Sequence, residues 1–152
     1  MDTFKALSRG TKVVVVAGPL LFFSLFFDWQ ALEIDYGAAG VVEQRLDGWD
    51  RWGLLLGLLT AAVVTIVVLR RLTEVELPED VPWDSVTLGL GLGAFAVAVL
   101  KSLTDEGSTW VSYGFVALAG VLALGTYLSW VEGRREGSAS VPQRSRRVSS
   151  AA

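Results

Sequence analysis

The chain has 152 residues, of which 52% are hydrophobic and 19% charged, whereas soluble domains carry about a quarter charged residues. Its apolar residues run in long unbroken blocks, which indicates an integral membrane protein. The absence of cysteine and histidine excludes disulfides, thiol redox chemistry, imidazole or thiolate metal sites and histidine triads, so no cofactor is expected. A net charge of −3 gives nucleic acid no purchase.

In chain order, a basic arm over 1–12 (Lys5, Arg9, Lys12) leads into a first apolar block, Val13–Phe27. With snorkelling Lys12 at one end and Trp29 at the other, this block predicts a span over 12–29. No small-x-small site follows Phe26-Phe27-Asp28-Trp29, so the block reads as a retained signal anchor. Pro19 inside it removes one backbone bond and predicts a kink.

The outer loop over 30–51 is acidic. Leu32, Ile34 and Tyr36 alternate with Glu33 and Asp35, a period of two that predicts a short strand. Gly37-Ala38-Ala39-Gly40 would turn the chain and Val41–Leu46 would return it as a hairpin. Asp28, Asp47 and Asp50 are the candidate interaction residues of this region. Oxygen ligands suit calcium or magnesium, but the carboxylates match no calcium-loop spacing, which favours a solvated acidic surface.

A second span is predicted over 52–69, a third over 83–102 and a fourth over 110–131. Each approaches the roughly 20 helical residues that a hydrocarbon core of about 30 Å requires. A soluble bundle would carry a polar stripe on each helix, yet Gly53–Leu69 holds only Thr60 and Thr65 as polar residues. The second connection carries Glu74, Glu76, Glu79, Asp80 and Asp84, the last placed to cap the third helix. Lys101 ends the third span and is expected to snorkel to headgroups. The tail over 132–152, rich in serine and arginine, reads as disordered. Its Arg146-Arg147-Val148-Ser149 has the form of a basophilic kinase site.

Lysine and arginine placement sets the threading. Lys5, Arg9, Lys12, Arg70, Arg71 and the tail residues Arg134, Arg135, Arg144, Arg146 and Arg147 fall on one side, against Arg45, Arg51 and Lys101 on the other. The positive-inside rule then puts both termini in the cytoplasm. Trp29, Trp49, Trp52 and Trp110 would anchor the outer interface, and Trp83 and Trp130 the inner one.

In lipid, helices associate where small residues let backbones approach. Gly53-x-x-x-Gly57, Gly89-x-x-x-Gly93 (with Gly91 between) and Gly120 are the candidate packing positions. Trp49-x-x-Trp52-Gly53 and Trp110-x-x-Tyr113-Gly114 open the second and fourth spans alike, which raises the idea of a duplicated two-helix hairpin. Ionisable residues are absent from the middles of all four spans, where an enzyme or ion-coupled carrier would need them.

The basic arm, Phe26-Phe27-Asp28-Trp29, Leu46-Asp47-Gly48-Trp49-Asp50-Arg51-Trp52-Gly53 and Leu100-Lys101 together resemble a family of small four-span membrane proteins of high-GC Gram-positive bacteria. The resemblance covers roughly residues 1–132 and implies no particular activity.

The expected class is therefore an all-α integral membrane protein, a four-transmembrane-helix bundle with a short outer β-hairpin. The expected role is non-enzymatic: a structural or accessory subunit whose partners are the bilayer and another membrane protein or a second copy. The alternative is a small oligomeric transporter or channel using Thr60, Thr65, Thr87 and Thr126. A third reading is a lipid-modifying enzyme using Asp28, Asp47 and Asp50.

Overall fold

The computed structural model describes residues 7–37, 40–73, 78, 80–104 and 110–139. Four helices and one hairpin follow in order: α1 (Arg9–Ser24), β1 (Asp28–Asp35), β2 (Val41–Asp47), α2 (Arg51–Leu72), α3 (Trp83–Thr104) and α4 (Trp110–Ala139). Each helix packs on the next in the chain, and α4 closes back on α1. Val14, Leu21, Leu56, Val63, Ala94, Ala98, Ala119 and Leu122 fill the interior.

Three helical stretches, Arg51–Leu72, Trp83–Thr104 and Ser112–Arg135, are long and apolar enough to cross a membrane. Only 33%, 39% and 28% of these stretches, respectively, is buried within the protein. Large apolar side chains also face outward, with Leu54, Leu58, Leu92 and Leu124 at least half exposed. Water would not tolerate such a surface, whereas hydrocarbon does.

The first helix is shorter than the sequence implies. Ser8 caps its start, accepting from Thr11 N at 3.2 Å. It ends at Ser24 rather than at Trp29, because Leu25, Phe26 and Phe27 donate to carbonyls three residues back and tighten the chain into a turn. Asp28 and Trp29 belong to β1. At 16 residues, α1 is about 24 Å long.

The hairpin is a two-stranded antiparallel sheet with Leu32 opposite Gln44, Glu33 opposite Glu43 and Ile34 opposite Val42. Gly37 and Gly40 take φ of 63° and 94°, left-handed values that glycine adopts without strain. Ala38 and Ala39 lie outside the described residues. The ladder is irregular between Asp28 and Gln30, which takes Trp29 out of register.

The last helix is longer than the sequence implies. It runs to Ala139, so residues 133–139 are helical rather than part of a disordered tail. Arg134 sits 4.0 Å from the Trp130 ring centroid, and Glu132 accepts from Gly10 N at 3.4 Å. Both contacts favour continuing the helix past the apolar block. The rest of the tail, with its kinase-like motif, lies outside the described residues, as do Glu74, Glu76 and Glu79.

Glycines meet their neighbours differently from the simple small-xxx-small pattern. Gly53 lies against the Gly48 carbonyl, a loop contact, and Gly57 against Leu25 and the Trp49 ring. Gly120 faces Phe95, and Gly93 faces Leu59. Gly89 faces open space, so it makes no seam within the chain; the close approach of α3 to α4 is at Gly91, over Thr126.

Candidate functional site

Two polar clusters mark the two ends of the helical body. At the hairpin end, Lys101 in the last turn of α3 is fully buried. Its Nζ lies 2.7 Å from Asp50 Oδ2 and 5.4 Å from the Trp29 ring centroid. Asp50 divides its carboxylate, since Oδ1 caps α2 by accepting from Gly53 N at 2.7 Å. Lys101 thus turns inward instead of snorkelling to headgroups. An acidic partner, an aromatic face and the negative end of its own helix all favour the ammonium there.

Trp29 is equally buried, which removes it from the outer interface belt. Its ring stacks on Phe115 with centroids 5.4 Å apart, and its Nε1 donates to Ser24 O at 2.9 Å. Gly48 leaves room for the indole and donates its own N–H to Leu25 O at 2.8 Å. The site therefore joins α1, the hairpin, α2, α3 and α4. Trp29→Ala should lower stability by about 3–5 kcal/mol. Trp29→Phe, which keeps a ring but loses the N–H, should cost less. Unfolding followed by circular dichroism in detergent micelles measures both, and the site is not the hairpin's anchor if the two variants match wild type.

The carboxylates singled out from the sequence do not converge. Asp28 pairs with Arg45 at 3.6 Å, both more than half exposed. Asp47 accepts from Trp49 N at 3.1 Å, and Asp50 reaches the buried cluster. Among the described residues no group of three or more acidic side chains is placed to hold a metal ion. The remaining tryptophans take separate positions. Trp110 is 84% exposed, Trp49 packs edge-on against Phe22 and Phe26, and Trp52 leans on the core. Trp83 donates to Pro78 O, and Trp130 stacks on Tyr127.

At the opposite end, a narrow cleft draws residues from every helix, including Thr11, Arg70, Asp84, Thr87 and Thr126. Arg70 pairs with Asp84 at 2.5 Å. Thr87 and Thr126 donate to carbonyls of their own helices, Trp83 O and Ala123 O. Between the two clusters the buried layer is Val14, Ala17, Leu21, Val63, Ala94, Ala98, Ala119 and Leu122. The threonines do not form one stripe: Thr87 and Thr126 share the cleft, Thr60 is buried midway along α2, and Thr65 is exposed.

The Lys101–Asp50–Trp29 cluster escaped sequence reasoning. Its one advance signal is a lone lysine closing a span opposite a loop of carboxylates. No protein-family model, curated protein or solved structure matches this chain.

Proposed function

We propose that this chain is a non-enzymatic, multi-pass protein of the bacterial cytoplasmic membrane, a structural or accessory subunit that binds another membrane protein. All four helices cross as a bundle, both termini lie in the cytoplasm, and the chain belongs among the small four-span proteins it resembles. The observation that carries the role is the interior: apolar side chains fill it between two polar ends whose charges neutralise one another. A transporter needs polar side chains facing a path, and an enzyme needs reactive groups facing a substrate. Here the buried charge is committed to holding the hairpin rigid. A fixed acidic hairpin, with Glu33, Asp35 and Glu43 exposed, is a recognition element for a basic partner surface.

The α1 reading rests on Arg9 and Lys12, which extend its reach by snorkelling, and on local thinning of the bilayer, which costs a fraction of a kcal/mol per Å. The positive-inside asymmetry supports the threading. Reporter fusions at the two ends should both report cytoplasm; opposite sides would end the four-span reading. Tagged protein extracted from native membranes in mild detergent should carry one partner at fixed stoichiometry. Glu33→Lys with Glu43→Lys should release it. Recovery of monomer alone in several detergents, or solute flux in reconstituted vesicles, overturns the accessory role.

A further inference from the structure

The register of the hairpin sorts its side chains onto two unlike faces. Residues paired across an antiparallel ladder point to the same side, and successive residues of a strand point to opposite sides. Leu32 with Gln44 and Ile34 with Val42 therefore share one face, while Ala31 with Arg45, Glu33 with Glu43 and Asp35 with Val41 share the other. Beyond the irregular pair at the root, every ionisable residue of the ladder (Glu33, Asp35, Glu43 and Arg45) falls on the second face. The first face is charge-free and bare towards the turn, where Val42 and Tyr36 are more than half exposed. A two-stranded hairpin is marginal in water by itself, and uncovered apolar side chains lower its stability further. A surface of low polarity is needed to complete it.

The place where the hairpin is rooted says which surface that is. It springs from the end of the body where α1 stops, α3 stops and α4 starts, and each junction displays large exposed apolar side chains: Phe26 and Phe27, Leu103, and Trp110. Such groups, gathered at one end of apolar helices, form the belt that membrane proteins set at headgroup level. β1 follows Phe27 directly, so the root of the hairpin lies at that level. The seven residues of β2 reach about 23 Å, roughly twice a helix diameter, which carries the turn past the nearest helix. A protein partner would be oriented by charge, which this face lacks. A lipid surface asks only for apolar contact, and the amide of Gln44 suits hydrated headgroups.

We propose that the hairpin lies along the leaflet at its end of the bundle, with Leu32, Ile34, Tyr36 and Val42 set among phospholipid headgroups and upper acyl chains. Its acidic face is then turned to water, where a basic partner meets it. The hairpin is a membrane-surface element as well as a recognition element, and the lipid supplies the cover that a third strand would supply in a soluble sheet. The inference rests on the helices lying in the membrane and not on the accessory role, so either can fail without the other.

The chain has no cysteine, so single cysteines can be placed in the full-length protein and labelled with the fluorophore NBD. Val41→Cys and Val42→Cys are neighbours of similar exposure, 61% and 52%, on opposite faces of the ladder. Leu58→Cys, on the exposed side of α2, reports the membrane itself. In phosphatidylcholine nanodiscs containing lipid spin-labelled high on the acyl chain, the Val42 label should be quenched about twofold more than the Val41 label, and aqueous iodide should reverse the order. The fluorophore is the same at both positions, so its own affinity for lipid cancels. Equal quenching at the two positions overturns the proposal, since the hairpin then stands clear of the bilayer. So does protection of Val42 from lipid quencher and iodide alike, or a disulfide between two unlabelled Val42→Cys copies that Val41→Cys does not form, because protein then covers the face. A Leu58 label untouched by lipid spin-labelled deep in the chain overturns the membrane reading as well. Quenching at Leu58 beside an unquenched Val42 ends the hairpin proposal alone.

Discussion

Replacing Asp50 with alanine should destabilise the protein by about 3–5 kcal/mol, the usual cost of stranding a buried charge, whereas replacing Lys101 with methionine should cost far less. The asymmetry follows from unequal burial: Lys101 has no solvent exposure, while Asp50 retains 36%. Without Asp50 the buried ammonium loses the carboxylate 2.7 Å away, and α2 loses its cap, itself worth about 1 kcal/mol. Without Lys101 the aspartate can recruit water through its exposed side and still accept from Gly53 N. Methionine fills the space of the lysine stem and offers sulfur to the Trp29 ring. The double variant Asp50→Asn with Lys101→Met should lie close to Lys101→Met, since asparagine keeps the cap and no charge remains to be paired. Reversible unfolding in mixed micelles, analysed as a double-mutant cycle, reads all three. Equal and small effects of the two single variants would mean that the buried pair does not hold this end together.

The parts of the fold that were legible in the sequence are those governed by solvent choice or by a short period. Charge-free blocks locate α2, α3 and α4 because the middle of a lipid-facing helix excludes charge on every face. The hairpin is visible because Leu32, Glu33, Ile34 and Asp35 alternate and because Gly37 and Gly40 bracket the turn. The end of α1 is invisible to hydropathy: Leu25, Phe26 and Phe27 are as apolar as what precedes them. What stops the helix is a tertiary event, the indole of Trp29 folding back onto Ser24 O. The same reason hides the polar cluster. Asp50 and Lys101 are each conspicuous, but their meeting depends on how the outer ends of α2 and α3 come together. The far end of α4 is hidden too, because its continuation past the apolar block rests on Arg134 over Trp130 and on Glu132 at the start of α1. Glycine spacing names a helix surface without saying which partner lies on it. A shift of two residues, from Gly89 to Gly91, moves to nearly the opposite side of α3.

That shift leads to a sharp expected contrast among alanine variants. A β-carbon at Gly10 would sit 2.8 Å from both Gly125 O and Ser129 Cα, and neither backbone group can step aside without separating α1 from α4. Gly10→Ala should therefore destabilise by more than the roughly 1–3 kcal/mol typical of an overpacked core. At Gly91 the obstacle is a side chain, with Thr126 Cγ2 at 2.8 Å. Thr126 is tied to Ala123 O, so it yields only by giving up that bond, and Gly91→Ala should fall within the 1–3 kcal/mol range. Gly89 has nothing within 4 Å of its β-position. Alanine there should leave stability unchanged or raise it by up to about 1 kcal/mol through helix propensity alone. Thermal unfolding of the three variants in the same detergent gives the order Gly10→Ala, Gly91→Ala, Gly89→Ala from least to most stable. If Gly10→Ala unfolds with wild type, the first and last helices do not close on each other as described. If Gly89→Ala is as damaging as Gly91→Ala, a second chain occupies the outer face of α3.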